Sequence, residues 1–116
     1  MNSDKTNTPK LSENNTNGSG FYIISLCHTA KREKFITLWR PNNSGYCFSK
    51  ENAGIYLNPE DGYHNSDINI PISECLANEL FISTKYEGKQ KMMILNNKKN
   101  HRILKVKSYK DNLILI

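Results

Sequence analysis

Phe21-Tyr22-Ile23-Ile24-Ser25-Leu26 is the run whose reading decides the fold. Aromatic and β-branched side chains lose rotamer freedom in a helix and fit a pleated, half-buried surface, so these residues read as a β-strand. The polar, charged segment Thr29 to Lys34 suits a hairpin connection, and Phe35-Ile36-Thr37-Leu38-Trp39-Arg40 reads as a second strand. Pro41 has no amide to give a ladder and stops it. Asn42-Asn43-Ser44-Gly45 is a turn by composition, and Tyr46-Cys47-Phe48 follows as a short third strand.

N-terminal to this block, residues 1–20 read as a disordered tail. Leu11 is the only aliphatic side chain between Asn2 and Gly20, and so polar a segment cannot offset the entropy of ordering. C-terminal to the block, Ser49 is placed to cap a brief helix over Lys50 to Ala53, with Gly54 ending it. Asn58 to Gly62 is a turn, and Tyr63 to Asp67 is irregular and polar. Ser73 opens the best helix in the chain. Glu74 suits its positive end, and Cys75, Leu76, Ala77 and Leu80 lie along one face. Strands follow at Phe81 to Tyr86, Lys91 to Leu95, Arg102 to Lys107 and Leu113 to Ile116, with a loop at Asn96 to Asn100. The expectation is one α+β domain over residues 21–116, with a mainly antiparallel sheet and one main helix. Its core should hold Phe21 or Tyr22, Ile24, Leu26, Ile36, Leu38, Leu76, Leu80, Ile94, Leu104 and Val106.

An apolar fraction of 37% with 23% charged residues fits a globular chain. The net charge of +5 is unevenly spread. From Gly88 to Lys110 there are eight basic residues and no acid, whereas the first 87 residues hold eight Lys/Arg against ten Asp/Glu. Lys98, Lys99, His101 and Arg102 cluster at the expected loop, and the alternation of the next strand turns Lys105 and Lys107 outward. Such a surface could contact the phosphates of a nucleic acid, meet an acidic protein or simply be solvated. Arg102 is the only arginine in it, so bidentate recognition is thinly supplied.

Three cysteines, Cys27, Cys47 and Cys75, form no disulfide framework by their odd count and wide spacing. With three histidines they show no metal-ligand spacing, so no metal and no cofactor is expected. No segment approaches the roughly 20 apolar residues that span a bilayer, and the first twenty residues hold no apolar run. The cytosol is therefore the expected compartment. Cys27 and His28 are a thiol and an imidazole in adjacent positions. Sequence neighbours in a strand point to opposite faces, which argues against a catalytic pair. A small Cys/His enzyme stays as an alternative. No small-molecule substrate is indicated.

A second candidate surface is His28, Trp39, Arg40 and Tyr46, where an arginine beside a tryptophan could stack on a base or grip an anion. The plainer alternative packs Trp39 and Tyr46 in the core. The pattern Ser25-Leu26-x-His28-Thr29, Ile36-Thr37-Leu38-Trp39-Arg40-Pro41-x-x-x-Gly45-Tyr46 and Ala53-Gly54-x-Tyr56 resembles small uncharacterised proteins carried by bacteriophages and prophages. The resemblance covers residues 21–56. It implies a non-catalytic accessory protein of a mobile element, acting in a bacterial host by binding a host protein or nucleic acid, including as an inhibitor of host defence. A structural, virion-associated component is the remaining alternative.

Overall fold

The computed structural model describes residues 20–116, so the expected tail, apart from Gly20, lies outside the described residues. Gly20 is already buried and tied down. Its N–H donates to Glu74 Oε2 (3.0 Å) and its carbonyl accepts from Glu74 N (3.1 Å).

The described chain is α+β, with antiparallel sheets and two helices. β1 (Phe21–Ser25) is the organising strand. It lies inside a four-stranded antiparallel sheet between β2 (Leu38–Trp39) and β4 (Asn69–Ser73), with β3 (Tyr46–Cys47) outside β2. β4 was not expected, and it contains Pro71, which has no amide to give a ladder. It is an edge strand, where a residue without an amide is tolerated. The run from Phe35 is a strand only in part, because it changes partner. Phe35 bridges Leu95 and Ile36 N donates to Ile94 O (2.8 Å), whereas Leu38 is registered against Ile24 of β1.

α1 (Glu74–Leu80) starts where expected, with the Ser73 hydroxyl accepting from Leu76 N (3.0 Å). Ala77 and Leu80 are buried and Leu76 half-buried, but Cys75 turns out to solvent. The hairpin β5 (Phe81–Tyr86) and β6 (Lys89–Ile94) follows. Glu87 (φ 52°) and Gly88 (φ 80°) supply the two positive φ angles that a tight hairpin turn needs.

Three expected elements are corrected. Ser49 to Ala53 makes a single turn, with Ala53 N on Ser49 O (3.0 Å), rather than a helix. Gly54 does not end a helix but allows a close approach. A Cβ there would lie 2.6 Å from Pro41 Cα, and its N–H donates to Trp39 O (2.9 Å). The expected loop at Asn96 to Asn100 and the first half of the expected strand at Arg102 form α2 (Lys98–Leu104), which equals α1 at seven residues. Asn97 Oδ1 caps it by accepting from Asn100 N (2.9 Å), and Lys105 reverses the chain in the left-handed region (φ 61°). β7 (Val106–Tyr109) and β8 (Asn112–Leu115) close the fold as a hairpin. Leu104 and Val106 are both buried as foreseen, but as the end of a helix and the start of a strand. Of the remaining expected core, Tyr22, Ile24, Leu26, Ile36, Leu38, Leu80 and Ile94 are buried in one cluster, with Leu76 packed against it. Tyr22 meets Phe81 edge-to-face at 5.3 Å.

Candidate functional site

The basic candidates sit on a helix and a strand, not at a hairpin tip. At about 100° per residue, Lys98 and Arg102 fall on one stripe of α2, with Lys99 and Ile103 on the next. All four are exposed, while Asn100 and Leu104 face inward. Asn100 Nδ2 is spent on Leu95 O (2.8 Å). Lys105 is exposed at the end of the helix, and Lys107 points out from β7 beside buried Val106. His101 does not belong to this cationic face. It is half-buried, and desolvation lowers its pKa from the ordinary 6.5. Its Nε2 hydrogen-bonds Asn96 Oδ1 (2.5 Å), which is oriented by the Asn96 amide donating to Ala30 O (3.2 Å) and Glu33 O (2.9 Å).

Sequence reasoning missed the far end of the same hairpin. Tyr109 is 51% exposed, and the Lys110 ammonium lies 5.5 Å from its ring centroid. Lys31 is fastened to that tip by donating its amide to Asp111 O (2.6 Å). Alternation from outward Lys107 places Tyr109 on the same outer face, which is its signal in the sequence.

The second candidate surface does assemble. His28 stacks on Tyr46 (centroids 4.0 Å apart, planes 26°), and Arg40 Nε donates to Tyr46 O (2.9 Å). Trp39 is 5% exposed and forms the floor of a cleft of about 440 Å³. Tyr46 and Tyr63 both pack edge-on to the indole, at 6.0 and 5.2 Å, and both line the cleft. Unlike the floor they are open to solvent, at 42% and 45%. Packing in the core therefore describes Trp39 but not Tyr46. Desolvation, followed by Coulomb repulsion from the neighbouring Cys27 and Tyr63 positions, pushes the Tyr46 phenol above its ordinary 10.0.

A set of hydrogen bonds braces this cleft. Trp39 Nε1 donates to Asn69 Oδ1 (3.2 Å), and Asn69 Nδ2 donates to Tyr63 O (3.0 Å). His64 Nδ1 accepts from Glu60 N (2.9 Å), which leaves the ring proton on Nε2 to donate to Asn43 Oδ1 (2.9 Å). Asn42 and Asn43 reach this position through left-handed backbone (φ 58° and 56°), which asparagine tolerates. The Tyr56 hydroxyl accepts from Asn43 N (3.0 Å) and donates to Arg40 O. Tyr63 and His64 were missed because Tyr63 to Asp67 reads only as irregular and polar, and Asn69 because it lies in the unexpected strand β4.

Cys27 and His28 correct another expectation. β1 ends at Ser25 and the two residues lie in the turn beyond it, so strand alternation does not separate them. Cys27 Sγ is 3.3 Å from His28 Nδ1, but Ser25 Oγ holds the same nitrogen at 2.8 Å. Cys47 is buried, and burial pushes its thiol above 9.0, while Cys75 is exposed on α1. The three thiols sit in separate settings. Among the described residues, no three His, Cys, Asp or Glu side chains form a set able to hold a metal, and no helix is long and apolar enough to cross a membrane.

Comparison with protein-family models, curated proteins and solved structures finds no match to this chain.

Proposed function

We propose that this is a non-catalytic binding protein whose α2 and β7–β8 face docks a nucleic-acid strand of a bacterial host. The observation that carries the reading is the exposed cationic stripe of α2. Lys98, Arg102 and Lys99 share one side of a short capped helix, Lys105 and Lys107 continue from its end, and no acid interrupts the sequence from Gly88 to Lys110. Lysines arranged this way neutralise backbone phosphates without reading base edges, and the lone Arg102 fits the same conclusion. Exposed Tyr109 beneath Lys110 adds a stacking face, which favours a single strand over an acidic protein. The resemblance read from the sequence over residues 21–56 would place that role in a mobile element acting on host machinery.

The test is titration of fluorescently labelled single strands against the protein at several salt concentrations. The expected result is an affinity that falls steeply with salt, with the slope reduced by about one for each cation–phosphate pairing removed. Charge reversal at Lys98, Lys99 and Arg102 should abolish binding while leaving the denaturation midpoint in place. Unchanged binding by that triple variant would sink the assignment, as would binding that ignores salt.

A small thiol enzyme is favoured by one observation, the 3.3 Å approach of Cys27 to His28. It is checked by alkylation. An activated Cys27 must react faster than solvent-exposed Cys75, and must slow when His28 is replaced by alanine. Equal rates end that alternative.

A further inference from the structure

We infer that the cleft over Trp39 takes one unpaired nucleobase of the strand held by the basic face, an inference that rests on the nucleic-acid reading above. The β7–β8 hairpin is joined by direct contacts to the turn that leads to the cleft. Asn112, at the start of β8, donates its amide to Cys27 O (3.1 Å), and Lys31 is bonded to Asp111 in the β7–β8 turn (2.6 Å). The turn that carries Cys27 carries His28 next to it, and His28 is stacked on Tyr46 at the mouth of the cleft. A strand crossing Lys110 and Lys31 therefore meets the aromatic cleft within one turn of chain.

The cleft suits a base in three respects. Its volume of about 440 Å³ lies in the range of small-ligand sites. Two half-exposed tyrosine rings stand over a buried indole, and every base has a π-face that such rings accept. Polar groups reach the lining at its edge. Ser66 Oγ accepts from Ile68 N (3.2 Å) and keeps its hydroxyl hydrogen to donate. Asn43 Oδ1 is taken by His64, so its amide nitrogen is the group it offers a base edge. The bonds of Asn69 and His64 hold the Trp39 indole, the Tyr63 backbone and Asn43 in place before any ligand arrives, which lowers the ordering cost of binding.

Trp39 is the only tryptophan in the chain, so its fluorescence reports on the cleft alone. The experiment titrates wild-type protein with a short single strand and with the same backbone made abasic, reading strand anisotropy and Trp39 emission together. The base-bearing strand is expected to bind more tightly and to quench Trp39, and the abasic strand to bind without quenching. Tyr46→Leu and Tyr63→Ser should each weaken the base-bearing strand by roughly five- to a hundredfold and leave the abasic strand unaffected. Equal binding of the two strands with no change in Trp39 emission overturns the cleft assignment and leaves the basic-face reading standing. Absence of binding by either strand overturns both. The comparison of strands uses wild-type protein, so it holds even if a tyrosine variant folds poorly.

Discussion

The basic face and the aromatic cleft are held in place by bonds of opposite reach. α2 is organised by its immediate neighbours: Asn97 caps Asn100, Asn100 returns to Leu95, and Lys105 ends the helix on Arg102. Its cations are exposed, and among the described residues their side chains make no hydrogen bond to the rest of the fold. The cleft depends on residues far apart in the chain. Trp39 is bonded to Asn69 across a separation of 30 residues, and Asn43 to His64 across 21. The difference teaches what each surface can tolerate. Charge can be exchanged on α2 at little cost to the fold, whereas the binding geometry of the cleft is inseparable from the fold's stability.

Removing the cleft floor is the harshest way to break that contrast. Trp39→Ala leaves a void under Tyr46 and Tyr63 and strips Asn69 of its donor, for an expected loss of about 3–5 kcal/mol by chemical denaturation. Lys98→Ala on the basic face should stay within about 0.5 kcal/mol. A Trp39 variant no less stable than the lysine variant would show that the two regions are not differently built. Next in size is Gly54→Ala. Its methyl group would meet the Pro41 backbone at 2.6 Å to Cα and 2.7 Å to N, so the Arg40–Pro41 wall must shift. Overpacking of this kind costs about 1–3 kcal/mol. The expected readout is a lowered midpoint together with altered Trp39 emission, because Gly54 N is bonded to Trp39 O.

The same contrast explains what was legible in the sequence. β1, the Ser73 cap of α1, the β5–β6 hairpin and most of the core follow from local patterns, since apolar alternation and a cap are each spelled within a few residues. α2 was missed because Asn97-Lys98-Lys99-Asn100 reads as turn composition. Only the position of Asn97 as a cap distinguishes it from a loop. The cations of the basic face were legible as charge, although their helical arrangement was not. His28, Trp39, Arg40 and Tyr46 were legible as residue types near two turns. Tyr63, His64 and Asn69 were not, because nothing in a polar stretch signals which side chains a distant indole will orient. Cys27 and His28 were misjudged for a related reason. Strand alternation ends at Ser25, so it does not govern the two residues beyond it.

Smaller effects should appear in α2. Asn97→Ala removes the cap and should cost about 1 kcal/mol, seen as a lowered midpoint and faster amide exchange confined to Lys98–Leu104. Asn97→Ser should restore most of it. The smallest expected effect is a pH dependence from His101. Burial favours its neutral form, so the folded pKa lies below the 6.5 of the unfolded chain, and the unfolded state binds more protons between the two values. Stability contributed by this group is therefore fully present above about pH 6.5 and is lost as pH falls toward the folded pKa. His101→Gln keeps a donor for Asn96 and cannot titrate, so its stability should decline less over the same interval. Matching pH profiles for the two proteins would show that His101 does not couple α2 to the Ala30–Glu33 turn through its protonation. They would leave the helix cap as the main support of the basic face.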